Sequence, residues 1–390
     1  MRPVYLDHSA TTPLDPDVRE AMDPYLGGQF GNPLTSHRFG EGPRAAVEAA
    51  RAEVAALLGA AAGDARVLFN SGATEGLNHA VKGIAFAALE AGRAGARRRI
   101  VISAVEHYGV TRPADWLAEH FGFEVVRVRP GSDGVVPADA FLAAVDAGPT
   151  LLAALLWAQN ETGVVQPVER VGRACRERGV PFVCDAVQVV GKGDTSEAAS
   201  FADVVALSAH KFYGPKGAGA LLVRSGVALA PLIHGAQQED GLRGGTHNVA
   251  GIAGLGAAAH AARAAWRAEA ARLTALRDGL WEAVHERVEG AHWNGGGAPL
   301  LPSTLNVSFD GCPSHLLCAE MDRRGFAISA GAACRSGSVT GSQVILAMGL
   351  GEARAATSVR VSLGHATTAH DVQAAADAFA AAVAQVRAST

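Results

Sequence analysis

Lys211 and Asp185 lie 26 residues apart, each just past a short apolar run: Val204-Val205-Ala206-Leu207 before the lysine, Val180-Pro181-Phe182-Val183-Cys184 before the aspartate. A lysine and a carboxylate at the ends of neighbouring buried strands suit pyridoxal phosphate. That cofactor needs a lysine for its Schiff base and an acid to keep its pyridine nitrogen protonated. Other polar residues fall at comparable places. Asn70-Ser71-Gly72-Ala73-Thr74-Glu75-Gly76 follows the run Val67-Leu68-Phe69 and opens a helical pattern. Such a strand, glycine turn and helix start can bind phosphate through backbone N–H groups, although the same residues also fit an ordinary helix cap. His107 follows the run at 99–103, where an imidazole can stack on a planar ring, shuttle protons or serve structure alone. Asn160 follows the run at 151–157, and Gln188 stands three residues past Asp185. Five polar residues each closing a separate apolar run point to one common rim.

The elements that must carry these residues follow from the pattern of apolar runs. Strands are expected at 67–69, 99–103, 124–128, 151–157, 180–184, 203–207 and 218–223, alternating with helical patterns such as 43–58. Several runs are apolar throughout, as strands covered on both faces should be. The fold expected is α/β: a mostly parallel seven-stranded sheet sandwiched by helices, with ligands beyond the carboxyl ends of the strands. A helical pattern from about 257 to 288 leads away from it. A smaller α+β unit follows, with strands near 304–309, 326–329 and 358–363 and a last helix over 370–387. This divides the chain into a large cofactor-binding domain, 15–262, and a small domain formed by 1–14 and 263–390.

Composition narrows the class. Of 390 residues, 49% are hydrophobic and 18% charged, which fits a well-buried enzyme rather than a disordered chain. A formal net charge of −4 offers no electrostatic case for nucleic acid, and Arg97-Arg98-Arg99 reads as a solvated lead-in to a strand. The apolar run Leu151–Ala158 is too short to cross a bilayer, and the N-terminus lacks a signal-peptide core, so a cytoplasmic protein is expected. Five cysteines argue against a disulfide framework. Cys175 and Cys184 suit packing, and Cys312-x2-His315-x2-Cys318 lacks a fourth ligand at zinc spacing, so no metal is expected. No G-x-x-x-x-G-K-[ST] string supports a nucleotide site.

Taken in order, these motifs resemble the cysteine desulfurases, fold-type I pyridoxal phosphate enzymes of aminotransferase class V. The resemblance runs from Tyr5-Leu6-Asp7-His8-Ser9-Ala10-Thr11-Thr12-Pro13 to Ser358-Val359-Arg360-Val361-Ser362-Leu363-Gly364. It includes Phe30-Gly31-Asn32-Pro33, Ser71-Gly72-Ala73-Thr74-Glu75, Asn160-Glu161-Thr162-Gly163 and Ser208-Ala209-His210-Lys211. It implies Lys211 as the lysine that carries the cofactor and moves protons, Asp185 at the pyridinium nitrogen and His107 stacked on the ring. Gln188 and Asn160 would approach the phenolic oxygen, Asn160 also touching substrate. Ala73, Thr74, Ser208 and His210 would hold the phosphate. Thr246, in Gln238–Thr246, would reach the phosphate of a second subunit and make the enzyme a homodimer. Arg360 would clamp the substrate carboxylate, a role suited to its planar fork of donors.

Ser329-Ala330-Gly331-Ala332-Ala333-Cys334-Arg335-Ser336-Gly337-Ser338 selects the reaction. Small neighbours leave Cys334 accessible, and Arg335 favours its thiolate. The resemblance makes Cys334 the nucleophile that takes sulfur from L-cysteine as a persulfide, releasing L-alanine, and passes it to acceptor proteins for iron–sulfur clusters, thio-nucleosides or cofactors. Spacing from Cys334 to Met348-Gly349-Leu350 matches the long-loop, group I branch. The chain departs from that pattern at Ala332, where serine is common, and at Gly341, where proline is expected. It also ends at Thr390, short of the tail with which cluster-assembly members dock their scaffold. A selenocysteine lyase, another fold-type I enzyme or a partner-dependent sulfur-relay subunit are the alternatives.

Overall fold

The structure, a computed structural model, describes residues 3–92, 97–331 and 341–389. Its strands are β1 (Val4–Tyr5), β2 (Ala65–Asn70), β3 (Arg99–Ser103), β4 (Glu124–Val128), β5 (Thr150–Leu156), β6 (Phe182–Asp185), β7 (Val204–Ser208), β8 (Gly219–Arg224), β9 (Ala291–Trp293), β10 (Thr304–Phe309), β11 (Phe326–Ala327) and β12 (Ser358–Ser362). Seven of them form one sheet in the order β2-β8-β7-β6-β5-β3-β4. All its pairs are parallel except those of β8, which runs antiparallel to both β2 and β7.

Alternate residues of these strands feed opposite cores, because successive side chains point to opposite faces. Val101, Leu155, Cys184 and Val205 pack on one face with Val47, Val54 and Leu57 of the helix Glu41–Leu57. Ile100, Ile102, Ala154 and Val204 pack on the other with Leu77, Val81 and Ile84 of the helix Ala73–Glu90. Every residue of β5 is buried, as expected of a central strand covered on both sides.

The helix Val249–Arg287 links this sheet to a second core. Ile252, Leu255 and Ala258 belong to the first core, whereas Leu273, Leu280 and Val284 pack with β10 and β12. Near its start the helix lies against Glu41–Leu57 so closely that a Cβ on Gly256 would stand 2.7 Å from Ala50 Cα. The second core holds the antiparallel sheet β12-β10-β9 and the helices Ser314–Arg323 and Ala369–Ser389, with Phe309 stacked on Phe379. Val344, Ile345, Met348 and Ala355 rejoin the first core, although they lie beyond residue 262.

The chain starts in the second unit and returns to the first. β1 pairs in parallel with β11, Asp7 bridges to Ser362, and residues 9–12 then cross to the turn after β7. The expected strands and final helix agree with those observed to within about two residues, apart from the shortened β11. The long helix starts earlier than its apolar pattern, at Val249. Gly251, Gly254 and Gly256 obscure its first turns in the sequence, and Asn248 caps it by accepting from Gly251 N–H at 3.1 Å. β1 and β9, two and three residues long, are too short to show alternation. Among the described residues no helix is long and apolar enough to cross a membrane.

Candidate active site

Asp185 ends β6, and β7 ends at Ser208, where the chain turns through the 3-10 element Ala209–Lys211. Both residues therefore stand at carboxyl ends of adjacent parallel strands. Asp185 is 7% exposed, and its Oδ1 accepts from Val187 N–H at 3.0 Å. Burial pushes its carboxyl up, while the charges of His107 and Lys211 pull it back, which places all three in one electrostatic neighbourhood. Lys211 Nζ donates to the carbonyls of Ser9 at 2.7 Å and Ala10 at 2.8 Å.

The N-terminal strap holds the rest of that turn. Thr12 N–H donates to His210 O at 2.9 Å, Tyr213 N–H donates to Thr12 Oγ1 at 2.8 Å, and Lys216 Nζ donates to Thr12 O at 3.0 Å. His210 Nδ1 meets Thr11 Oγ1 at 3.0 Å. Burial and the charges of Lys211, Lys216 and Lys192 push the His210 imidazole down to about 4, so it is neutral at physiological pH.

The turn after β2 reaches the same rim. Gly72, at φ 144°, begins the helix Ala73–Glu90 with no side-chain cap on its first turn. A Cβ on Gly72 would lie 3.4 Å from Ser208 Oγ, and one on Gly219 would lie 2.6 Å from Gly72 Cα. Two glycines thus let the helix start approach the ends of β7 and β8, leaving N–H groups beside Ser208. Thr74 is exposed and Ala73 buried at this start. The cap reading also holds in part, since Glu75 Oε2 accepts from Ser71 N–H at 2.9 Å.

His107 caps the helix Tyr108–Phe121, its Nδ1 accepting from Gly109 N–H at 3.0 Å. That bond leaves the proton of the neutral ring on Nε2, and the residue is exposed at the rim. The preceding Glu106 is buried: its Oε1 accepts from Ser103 Oγ at 2.6 Å and from Leu156 N–H at 3.0 Å, while Oε2 has no hydrogen-bond partner among the described residues. Burial pushes Glu106 up to about 8. Gln188 Nε2 donates to Ser9 O at 3.1 Å, and its Oε1 accepts from Lys192 Nζ at 3.1 Å. Arg360 on β12 donates to Asn160 O at 2.7 Å and pairs with Asp7 Oδ1 at 2.7 Å, and its Nε has no hydrogen-bond partner among the described residues. One arginine thus joins the second unit, the strap and the segment after β5.

Residues 4–375 match the aminotransferase class-V family. A cysteine desulfurase IscS of Dictyoglomus turgidum is 39% identical over 371 residues, covering 95% of this chain and 92% of that one. A solved NifS-like protein superposes with a TM-score of 0.88 at 32% identity, covering 98% of this chain and 100% of the other. SspA in complex with cysteine superposes at 0.78 with 34% identity, covering 92% and 98%. The chain belongs to the class-V aminotransferase family, among its cysteine desulfurases.

For a desulfurase of this family, the loop ahead of the long helix has a notable build. Thr246 is exposed and, among the described residues, makes no hydrogen bond to Thr74 or Ser208 of its own chain. It lines a cavity of about 270 Å³ whose wall includes Asn70 and Ser71. Glu239 and Asp240 take left-handed φ values of 47° and 56°, uncommon for such residues. Glu239 offsets that strain by binding Arg51, His247 and Phe69 N–H, at 2.9, 2.7 and 3.1 Å. Arg243 pairs with Glu75 at 2.9 Å and so ties the loop to the helix Ala73–Glu90.

The packing cysteines of the desulfurase are inert thiols. Burial pushes Cys175 up to about 12, Cys184 well up and Cys312 up to about 11. Cys334 lies outside the described residues. Glu106, Lys192 and the strap carbonyls of Ser9 and Ala10 belong to the site without having stood out in the sequence. Glu106 adjoins His107, a signal that could have found it; Lys192 lies one helical turn past Gln188.

Proposed function

We propose that the protein converts L-cysteine to L-alanine, moving the sulfur to Cys334 as a persulfide and then to acceptor proteins that build iron–sulfur clusters, thio-nucleosides or cofactors. The observation that carries this reading is the convergence of Asp185, Lys211 and His107 at one rim, beside a glycine-lined helix start. Those residues fit pyridoxal phosphate. Asp185 is a buried carboxylate with no ion pair among the described residues, as a partner for a pyridinium should be. The helix start, with Ala73, Thr74, Ser208 and His210, offers donors to a phosphate. Gln188 and Asn160 would offer polar groups to its phenolic oxygen, and the exposed His107 would offer a ring for stacking.

When bound, the cofactor supplies an electron sink for bonds at the substrate's carbons. Lys211, held by two carbonyls, is placed to take and return a proton at the substrate carbon. Arg360 orients the substrate carboxylate, for which its planar fork of donors, with an Nε that has no hydrogen bond among the described residues, makes it suitable. The thiolate of Cys334 attacks the substrate sulfur, the S–C bond breaks, and the carbon gains a proton. The sum is L-cysteine plus the Cys334 thiol giving L-alanine plus the Cys334 persulfide, with atoms and electrons balanced.

The protein is proposed to act as a homodimer in which Thr246 completes the partner's phosphate site. Exposed Leu26, Phe30, Leu34 and Phe39 form an apolar stretch that a second subunit would cover. Two units, 15–262 and 1–14 with 263–390, are proposed to frame the site, in line with the two separate cores along the long helix. Cys175, Cys184 and Cys312, unpaired thiols, suit the reducing cytoplasm.

Incubation with L-cysteine and a reducing thiol should yield alanine and sulfide in equal amounts. The Cys334→Ser protein should stay yellow and yield neither. Turnover by that variant at the wild-type rate would remove Cys334 as the acceptor.

A further inference from the structure

Gln188 and Lys192 sit on one turn after β6, closed by Val190 N–H to Ala186 O at 3.1 Å and by Lys192 N–H to Val189 O at 2.9 Å. Both are buried, at 5% and 8% exposure. Lys192 Nζ donates to Gln188 Oε1, Gln188 Nε2 donates to Ser9 O, and that same carbonyl accepts from Lys211 Nζ. The chain of contacts therefore runs from a buried amine, through one carboxamide, to the acceptor that holds the catalytic lysine.

The surroundings of Lys192 give it no ion-pair partner among the described residues. The charges that reach it are those of Lys211 and Arg360, the latter paired with Asp7. The titratable groups that feel its charge in turn are His8 and His210. A buried ammonium facing cations is costly, and an apolar side chain of the same length would pack there more stably.

We propose that Lys192 is a positioning residue for the desulfurase reaction, which orients the Gln188 carboxamide with its oxygen inward and its NH2 toward the strap and the cofactor side of the rim. This rests on the desulfurase reading. The carboxamide is symmetric in shape and offers a donor or an acceptor according to its rotation. Lys192 Nζ, donating to the carboxamide oxygen, selects one of the two orientations, and the selection is strongest when it is an ammonium with no lone pair to accept.

The ionisation of Lys192 supplies a readout that a purely structural side chain lacks. Burial, with the charges of Lys211 and Arg360, pulls its ammonium down to about 7. An unfolded lysine titrates at about 10.4. Between those values the unfolded chain binds more protons, so this group's contribution to stability rises with pH.

The test compares wild type, Lys192→Met, Gln188→Ala and the double variant as purified holoenzymes. Lys192→Met should melt at a higher temperature at pH 7, with a flatter rise in melting temperature from pH 7 to 10. It should lose about tenfold in kcat/KM and shift the pH midpoint of the visible absorbance band. The double variant should lose no more activity than Gln188→Ala alone. An unchanged band midpoint and kcat/KM in Lys192→Met would overturn the proposal, as would additive losses or a lowered melting temperature at pH 7. A wild-type holoenzyme that makes no alanine would sink the desulfurase reading instead, while melting and absorbance would still decide Lys192.

Discussion

Glu106 shows how one side chain can serve the rim without touching a ligand. Its carboxyl joins the end of β3, through Ser103, to the end of β5, through Leu156, directly before His107. A folded value near 8 against an unfolded value near 4.5 means that the unfolded chain releases this proton first. Its contribution to stability is therefore complete below about pH 4.5 and is lost as pH rises to about 8. Glu106→Gln keeps an oxygen acceptor and cannot ionise. It should flatten the fall in melting temperature between pH 5 and 8 while leaving cofactor content intact, which thermal scans and absorbance at each pH would check. The residue types that mark chemistry, Lys211, Asp185 and His107, were legible because each closes an apolar run. Glu106 and Lys192 were not, because their meaning lies in burial and in partners such as Leu156 and Gln188, which no local pattern reveals.

Among the elements, the junction of β2, β7 and β8 carries the site. β8 runs against its neighbours, so the turn leaving β7 and the start of β8 meet the helix Ala73–Glu90 at Gly72. Gly219→Ala would set a methyl group 2.6 Å from Gly72 Cα and 2.8 Å from Leu207 O. Overpacking of that kind costs about 1–3 kcal/mol. Denaturant titration should show that loss, and dialysis should strip cofactor faster from the variant. The sequence showed the strands plainly, since β3 and β4 are found with the expected bounds. It could not show the sheet order or the reversed direction of β8, because pairing partners depend on contacts far apart along the chain. Nor could it show β1, whose two residues are a strand only because β11 lies beside them.

In the whole molecule, a site proposed to draw Thr246 from a second subunit predicts complementation. Lys211→Ala and Thr246→Asp proteins should each be inactive or weak alone, the second because a carboxylate would face a phosphate. Unfolded together and refolded, they should recover about a quarter of wild-type activity, since half the dimers are mixed and each mixed dimer keeps one intact site. No recovery from well-folded mixed dimers would place Thr246 in its own subunit's site. The pairing of Asp7 with Arg360 spans 353 positions, and β1 waits in the same way for β11. During synthesis the N-terminal part of a chain folds first. The main sheet can therefore form on the ribosome while residues 7–12 still lack the anchor that brings their carbonyls to Lys211. Nascent chains would carry the scaffold of an enzyme without its working rim, and the capacity to release sulfur would arrive last, with the translation of β12.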